Sequence, residues 1–332
     1  MQTLIKRTAG AAAALAAGVS LLFGTAAVAD EYPSKPITIV APYSAGGDSD
    51  LAARNLASTA AQYIGQPIVV VNRTGASGVT GSAFVKNAKP DGYTLLLARV
   101  GSQAVVPALT PSTPYKWNDF TFLGLLELNP YVCAVKADSP FKTMQDLVDA
   151  IKKDPGKLSY STAGVGTIHQ MGPQMLFSSL GLPKDAATQV PFKGGGEAST
   201  ALLGGHVDFG CSNVATVIPY IRAGQLRALM VTTPERYKEL KDVPTARELG
   251  FPAMEQITGW SALYGPPGME KATVDKWAKA LAEVAKDKSW TTLTTQLGSV
   301  PQIRSPEDTA KWAQSQFETY DKLGRELGLR KE

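Results

Sequence analysis

Glycines and small hydrogen-bond donors recur together in several loops of this 332-residue chain. A carboxylate accepts hydrogen bonds from such neutral groups without an ion pair, and paired glycines let backbone N–H groups approach a ligand closely. The residues of this kind that we expect to face one cleft are Tyr43, Ser44, Gly46, Gly47, Ser77, Gly78, Thr162, Gly166, Thr167, Ser212 and Asn213. Together they predict a binding site for a small anion.

Arg99 is the one cation that the sequence places beside these donors. It follows the apolar segment 93–98, which is typical of a strand, so we expect it at the same cleft. A guanidinium orients a carboxylate through two parallel hydrogen bonds. The alternative is a surface arginine at a strand end, where an ion pair contributes little.

The chain offers few residues for catalysis or metal binding. It has no Gly-x-Ser-x-Gly motif, and the turn 194–196 lacks the Gly-Lys-Ser/Thr ending of a phosphate loop. Of the two histidines, His169 near a helix start is expected to be a hydrogen-bonded structural residue and His206 an exposed one. Two cysteines and two histidines are too few for a Cys/His-rich metal site. We therefore expect no catalysis, no metal and no cofactor.

The glycine-rich loops follow predicted strands and lead into predicted helices. Ile37–Ala41 reads as a buried strand, the turn 42–47 follows it, and Asp48 begins a helix. The same unit recurs after Asn129-Pro130, for example in the strand 158–161 with its turn 162–167. Repeated strand–helix units predict parallel α/β sheets that bind ligands at the carboxyl ends of their strands, and the restart predicts a second lobe.

Residues 1–29 have the pattern of a secretory signal peptide. Lys6 and Arg7 precede the apolar run 11–23, and Ala27-Val28-Ala29 is a small-residue cleavage site. An uncleaved anchor is the alternative. Without the leader, 31 Lys and Arg remain against 29 Asp and Glu, with no basic block, so we expect no nucleic-acid partner.

Cys133 and Cys211 both lie in strand-like apolar runs. In an oxidising compartment they could form a disulfide, and two buried free thiols are equally reasonable. The sequence leaves both possibilities open.

Motifs throughout the chain resemble the receptors of tripartite tricarboxylate transporters, also called the Bug family. In chain order they are Gly46-Gly47-x-x-Asp50 with Ala53-Arg54, Asn72-x-x-Gly75-Ala76-x-Gly78, Pro90-Asp91-Gly92-Tyr93-Thr94-Leu95-Leu96, Gly164-x-Gly166-Thr167-x-His169, Val190-Pro191-Phe192-Lys193-Gly194, Ala201-Leu202-Leu203-Gly204-Gly205-x-Val207-Asp208, and Asp242-Val243-Pro244-Thr245 with Glu248-x-Gly250. Each motif is moderately specific alone, and their order is highly specific.

The resemblance implies an α/β fold of the periplasmic binding protein type. Two lobes of the Venus-flytrap, type II-like arrangement would be joined by two crossing hinge strands and close on a small carboxylate. The boundaries we predict are 1–29 for the leader, 30–127 and 256–332 for the first lobe, and 128–255 for the second. The family also implies no catalysis, and delivery of the ligand to the integral subunits of a permease. We expect a monomer.

Family members hold the ligand carboxylate in two loops, which correspond here to Tyr43–Gly47 and Thr162–Thr167. The chain departs from the family pattern at Ala45, where proline is usual, at Ser77, where glycine is frequent, and at Arg99-Val100-Gly101-Ser102, where small polar residues are usual. The last departure favours a second carboxylate near Arg99. We therefore expect a dicarboxylate, aliphatic or aromatic, with His169 in the site and Tyr43 or Phe192 packing against a ring.

Two other functions remain as hypotheses from the sequence. The same site could serve a periplasmic sensor or scavenger, which would act without the permease. A periplasmic hydrolase is the enzyme alternative.

Overall fold

The computed structural model describes residues 32–331, so the predicted leader lies outside the described part. Within it the chain forms two β-sheets flanked by helices. The strands are β1 (Ile37–Ala41), β2 (Ile68–Asn72), β3 (Thr94–Arg99), β4 (Thr121–Asn129), β5 (Tyr131–Lys136), β6 (Ser159–Thr162), β7 (Thr188–Pro191), β8 (Phe209–Asn213), β9 (Leu226–Val231), β10 (Gly259–Gly265) and β11 (Val300–Pro301).

Helices alternate with the strands, as the sequence predicts. They are α1 (Asp48–Ile64), α2 (Val79–Lys86), α3 (Val106–Leu109), α4 (Met144–Lys153), α5 (Ile168–Ser179), α6 (Gly195–Leu203), α7 (Val214–Arg222), α8 (Lys271–Val284), α9 (Lys288–Gln296) and α10 (Pro306–Glu326). Among the residues described, no helix is both long and apolar enough to cross a membrane.

The two sheets have the same internal order. The first is β11-β4-β10-β3-β1-β2 and the second is β7-β6-β8-β5-β9. In the first sheet β2, β1 and β3 run parallel, and β10 lies antiparallel beside β3. In the second sheet β7, β6 and β8 run parallel, and β5 lies antiparallel beside β8. The chain enters β10 and β5 after it has crossed from the other sheet. This order confirms the α/β, two-lobed fold; we call each sheet with its helices a lobe.

The chain passes between the lobes twice. Pro130 separates β4 of the first sheet from β5 of the second, and the segment 232–258 returns the chain from β9 to β10. These crossings correspond to the two predicted hinge strands. The residue boundaries that we predict for the lobes, at 127/128 and 255/256, remain predictions.

Local sequence explains where the helices nearest the cleft begin. The β1 side chains Ile37, Ile39 and Val40 are fully buried, as expected for a central strand covered on both faces. Gly46 and Gly47 lead into α1, which begins at Asp48 and ends at Ile64. Gly65 follows the helix, and its φ of 88° places it in the left-handed region.

Three features differ from the sequence-based expectations or resolve an open one. Helix α9 was not predicted; Asp287 caps it by accepting from two backbone N–H groups. Ser212, whose side chain suits a helix cap by type, lies in β8 instead, and Asn213 occupies the N-cap position of α7. Cys133 and Cys211 face each other on the antiparallel strands β5 and β8 and form a disulfide, which settles that alternative.

Candidate functional site

A buried cavity lies between the lobes at the carboxyl ends of β1, β3, β6 and β8. Its volume is about 30 Å³, measured as the space open to the centre of a water molecule. The lining residues are Tyr43, Asp48, Ser49, Arg99, Val100, Gly101, Ala163, Thr167, Ile168, His169, Gly195 and Asn213. Parallel sheets bind ligands at this end of their strands, so this cavity is the candidate site.

Four helices begin at this cavity. The residues that precede their first turns are Gly47 for α1, Thr167 for α5, Gly194 for α6 and Asn213 for α7, and none of the four forms a side-chain cap. The first N–H groups of a helix have no intrahelical partner, and the helix dipole makes this end positive. The arrangement can therefore bind an anion.

A buried ion pair forms one wall of the cavity. Arg99 Nη2 lies 3.3 Å from Asp48 Oδ2, and the two side chains are 4% and 8% exposed. The same Asp48 oxygen accepts a hydrogen bond of 2.6 Å from Asn213 Nδ2 in the second lobe. Arg99 thus lines the cavity as predicted, but its guanidinium already has a counter-ion within the protein.

A polar network continues from Arg99 toward the hinge. Arg99 Nη1 donates to Ser261 Oγ, and Ser261 Oγ donates to Glu127 Oε1 at 2.9 Å. Asn129 Nδ2 also donates to Glu127 Oε1, at 3.0 Å. Burial raises the pKa of Glu127, although Asn129, Arg99 and Ser261 act in the opposite direction. The cation of the site is therefore held between two buried acidic side chains.

His169 forms part of the opposite wall, on the first turn of α5. Burial is the main cause that lowers the pKa of His169 to about 4. The negative charge of Asp48 acts to raise this pKa, and the positive charge of Arg99 acts to lower it. The imidazole is therefore neutral near pH 7. Its Nδ1 has no hydrogen-bond partner among the described residues.

Tyr43 is packed into the cavity wall by two glycines. A Cβ on Gly101 would lie 2.6 Å from the Tyr43 hydroxyl, and one on Gly78 would lie 2.9 Å from its ring. The hydroxyl donates to the carbonyl of Ser77 at 2.8 Å, and burial raises the pKa of Tyr43 far above neutrality. Tyr43 therefore faces the site as a neutral aromatic surface.

The glycine loops of the two lobes also touch each other. A Cβ on Gly196 would lie 2.6 Å from the Ala45 carbonyl oxygen, and one on Gly194 would lie 2.5 Å from Ser44 Oγ. On the other side of the cavity, Ser77 Oγ donates to the carbonyl of Val165 at 2.5 Å. These glycines permit close contact between the lobes as well as approach to a ligand.

The structure brings five of the predicted site residues to the cavity: Tyr43, Arg99, Thr167, His169 and Asn213. Others line neighbouring cavities at the same cleft. Ala45, Gly46 and Phe192 lie at one of about 460 Å³, and Ser77 and Gly166 at one of about 360 Å³. Phe192 therefore does not face the central cavity.

The remaining predicted residues do not line any of these three cavities: Ser44, Gly47, Gly78, Thr162 and Ser212. Thr162 Oγ1 accepts a hydrogen bond from Gln189, and Gly47 contacts Gly196. Sequence reasoning treated Asp48 as a helix-start residue and missed its place in the cavity. The position of Asp48 directly after Gly47 could have indicated this, because the first turn of α1 lies at the carboxyl end of β1, where the cavity is.

Residues 32–331 contain no cluster of three or more His, Cys, Asp or Glu side chains that could hold a metal ion. The site is instead built from a two-lobed α/β fold in which helix N-termini of both lobes surround one buried cavity. This combination defines a solute-binding protein. The profile of the tripartite tricarboxylate transporter family receptor matches residues 52–329, so the chain belongs to this family.

Relatives support the same assignment and confirm the Bug-family resemblance. BugT of Bordetella pertussis is 30% identical over 323 residues, which cover 95% of this chain and 98% of the relative. A protein encoded in the TAR-I ttuE-ttuC' intergenic region of Agrobacterium vitis is 37% identical over 273 residues, which cover 82% of this chain and 78% of the relative.

Solved structures share the fold at similar identity. The periplasmic binding protein BugD is 31% identical with a TM-score of 0.86, over 91% of this chain and 100% of BugD. MatC from Rhodopseudomonas palustris, solved with bound malate, is 30% identical with a TM-score of 0.83, over 88% of this chain and 99% of MatC. Another R. palustris protein, solved with adipate, is 26% identical with a TM-score of 0.85, over 90% and 99%.

Proposed function

We propose that the protein is a periplasmic receptor that captures a small carboxylate and delivers it to the membrane permease of a tripartite tricarboxylate transporter. The observation that carries this proposal is the convergence of four helix N-termini without side-chain caps on one cavity between the lobes. Such a site stabilises negative charge through backbone N–H groups. Binding, without turnover of the ligand, is the activity that follows.

Dicarboxylates, aliphatic and aromatic, are the first candidates for the ligand. Two relatives of known structure were solved with malate and with adipate, and both ligands are dicarboxylates. Tyr43 gives the cavity one aromatic surface. A ligand carboxylate that enters this cavity would lie at the loops 43–47 and 162–167, and residues of both lobes would surround it.

Closure of the two lobes on the ligand is the step that the permease would recognise. A ligand shifts a conformational equilibrium only by its differential affinity for the two states, so it must contact both lobes. The lining residues meet this requirement, because Asp48 and Arg99 belong to the first lobe and Thr167, His169 and Asn213 to the second.

A thermal-shift screen against mono-, di- and tricarboxylates tests the proposal. Binding to the folded state alone raises the unfolding midpoint by mass action, so a receptor should respond to at least one acid, with calorimetry giving the affinity. No response to any acid would contradict the carboxylate assignment. In the producing cell, the mature protein should be found in the periplasm with Asp30 as its first residue, which mass spectrometry of the amino terminus checks.

A further inference from the structure

A second cavity of the cleft reaches the protein surface and has walls from both lobes. Its volume is about 460 Å³, and we call it the rim cavity. Ala45 and Gly46 of the first lobe line it together with Glu197 and Thr200 on α6 of the second lobe, and all four residues are exposed. The rim cavity therefore has its full set of walls only while the lobes are together.

The lobes touch through backbone atoms at this cavity. A Cβ placed on Gly196 would lie 2.6 Å from the Ala45 carbonyl oxygen and 2.9 Å from the Gly47 nitrogen, so α6 lies directly against the first-lobe loop. An opening of the lobes would separate these atoms and remove Ala45 and Gly46 from the cavity wall. The shape of the rim cavity thus depends on closure, which is the state that a ligand in contact with both lobes stabilises.

The side chains of the rim cavity suit a cation. Glu197 supplies a carboxylate, and Phe192 and Tyr220 supply two aromatic rings. Among the described residues, no Lys or Arg lines this cavity. A carboxylate forms strong hydrogen bonds with an ammonium or guanidinium group, and an aromatic face attracts the same cations. The planar guanidinium of arginine can make both contacts at once.

Two basic residues that lie close to this lining in the chain do not pair with Glu197. The backbone N–H of Lys193 donates to Glu197 Oε2 at 3.1 Å, but the exposed side chain of Lys193 does not line the cavity. Arg222, at the end of α7, pairs with Glu239 at 2.8 Å. The rim cavity therefore presents an exposed negative charge between aromatic rings.

We propose that the rim cavity is the docking site for a basic side chain, arginine or lysine, on a periplasmic loop of the permease. Glu197 would pair with that cation, and the rings of Phe192 and Tyr220 would pack against it. Because the first-lobe wall is in place only in the closed form, the permease would bind the loaded receptor in preference to the empty one. This inference rests on the proposed function and adds the surface that the permease recognises.

Charge reversal at Glu197 tests the docking site in cells that lack the native receptor gene. The measurement is uptake of the radiolabelled acid that the thermal-shift screen identifies. Glu197→Lys should reduce uptake by about tenfold or more, because like charges at an interface repel. Glu197→Gln removes the charge but keeps an oxygen for the Lys193 N–H, so its loss should be smaller. Calorimetry should show wild-type affinity for the acid in both variants, since Glu197 does not line the central cavity.

Glu235→Lys is the matched control, because Glu235 is an exposed glutamate that lines neither the central cavity nor the rim cavity. Its uptake should equal that of the wild-type protein. Wild-type uptake in Glu197→Lys would overturn the docking site and leave the receptor assignment intact. Loss of acid binding in step with uptake would also overturn it, because Glu197 would then act on the ligand site. Failure of the wild-type receptor itself to restore uptake would overturn the proposed function and this inference with it.

Suppressor mutations identify the residue that docks. Mutations that restore uptake in cells with Glu197→Lys should replace an arginine or lysine in a periplasmic loop of the permease by an acidic residue. The same permease mutation should reduce uptake with the wild-type receptor, because it places two negative charges together. Suppressors found only within the receptor would contradict a direct contact between Glu197 and a basic side chain of the permease.

Discussion

The two lobes contribute different kinds of wall to one cavity. The first lobe supplies the charged pair Asp48 and Arg99, with Glu127 behind it. The second lobe supplies Thr167, Ile168, His169, Gly195 and Asn213, of which the imidazole is neutral near pH 7. A hydrogen bond from the Asn213 amide to Asp48 joins the two walls directly.

This difference suggests how the lobes divide the work of binding. An ion pair within one lobe is already compensated, so closure does not have to bring two separately hydrated charges together. The neutral second wall loses little hydration free energy when it covers the ligand. We expect the first lobe to determine the charge of the ligand and the second lobe to determine how completely the site closes.

The largest effect should come from removal of the cation in the charged wall. Arg99→Met keeps the apolar stem but leaves Asp48 and Glu127 buried without a counter-ion. Breaking a buried pair in this way costs about 3–5 kcal/mol. Urea unfolding at pH 7 should show that loss in the free energy of unfolding. The deficit should shrink toward pH 5, because burial raises the pKa of Glu127 and this acid then takes up a proton.

Arg54→Met is the matched control for that variant. Arg54 pairs with Asp50 at 2.9 Å, but its side chain is 55% exposed, so its loss should cost less than about 1 kcal/mol. A similarly small loss in Arg99→Met would mean that Arg99 does not stabilise the buried acids. The distinction between a charged wall and a neutral wall would then be wrong.

The sequence predicted the neutral wall better than the charged one. Glycine turns and cap-type residues after strands identify helix N-termini locally, so Thr167 and Asn213 could be placed at the cleft from their own neighbours in the chain. The pairing of Asp48 with Arg99, and the contact of Ser261 with Glu127, join residues far apart in the sequence. These contacts depend on the strand order β4-β10-β3-β1, which no single stretch of sequence encodes.

The disulfide and the missed helix α9 show the same limit. Cys133 and Cys211 read equally well as free thiols until β5 and β8 are paired in register. Helix α9 begins with an ordinary Asp cap, but its segment is rich in threonine, which has a low helix propensity. Tertiary packing of Trp290 and Thr294, both buried, outweighs that propensity.

The next largest effect concerns the neutral wall and its dependence on pH. The pKa of His169 is lowered from 6.5 to about 4, so the folded state resists a proton that the unfolded chain accepts. Stability from this group is therefore complete above pH 6.5 and is lost as the pH falls toward 4. Between pH 7 and pH 4 the free energy of unfolding of the wild-type protein should fall by about 3 kcal/mol more than that of His169→Gln. Urea unfolding at both pH values measures this difference.

His206→Gln is the control for that measurement, because His206 is exposed. It should lose stability between pH 7 and pH 4 as the wild-type protein does. If His169→Gln also followed the wild-type curve, the imidazole would not be held neutral and the second wall would carry charge below pH 6.5.

The smallest effect should distinguish ligand contact from closure in the glycine loop of the second lobe. In Gly196→Ala the new Cβ would lie 2.6 Å from the Ala45 carbonyl oxygen and 2.9 Å from the Gly47 nitrogen, both backbone atoms of the first lobe. Backbone cannot yield as a flexible side chain does, so the lobes should close less fully. We expect about tenfold weaker ligand binding, equivalent to about 1.4 kcal/mol, and a smaller compaction on saturation in X-ray scattering.

Gly204→Ala provides the comparison within the same lobe. Its Cβ would meet the side chain of His206 at 2.9 Å, and that exposed side chain can move away. Affinity and compaction should stay as in the wild-type protein. Wild-type binding in Gly196→Ala would show that the Gly196 contact does not limit closure. Weak binding with full compaction would instead place Gly196 in contact with the ligand, and the neutral wall would then select the ligand as well as cover it.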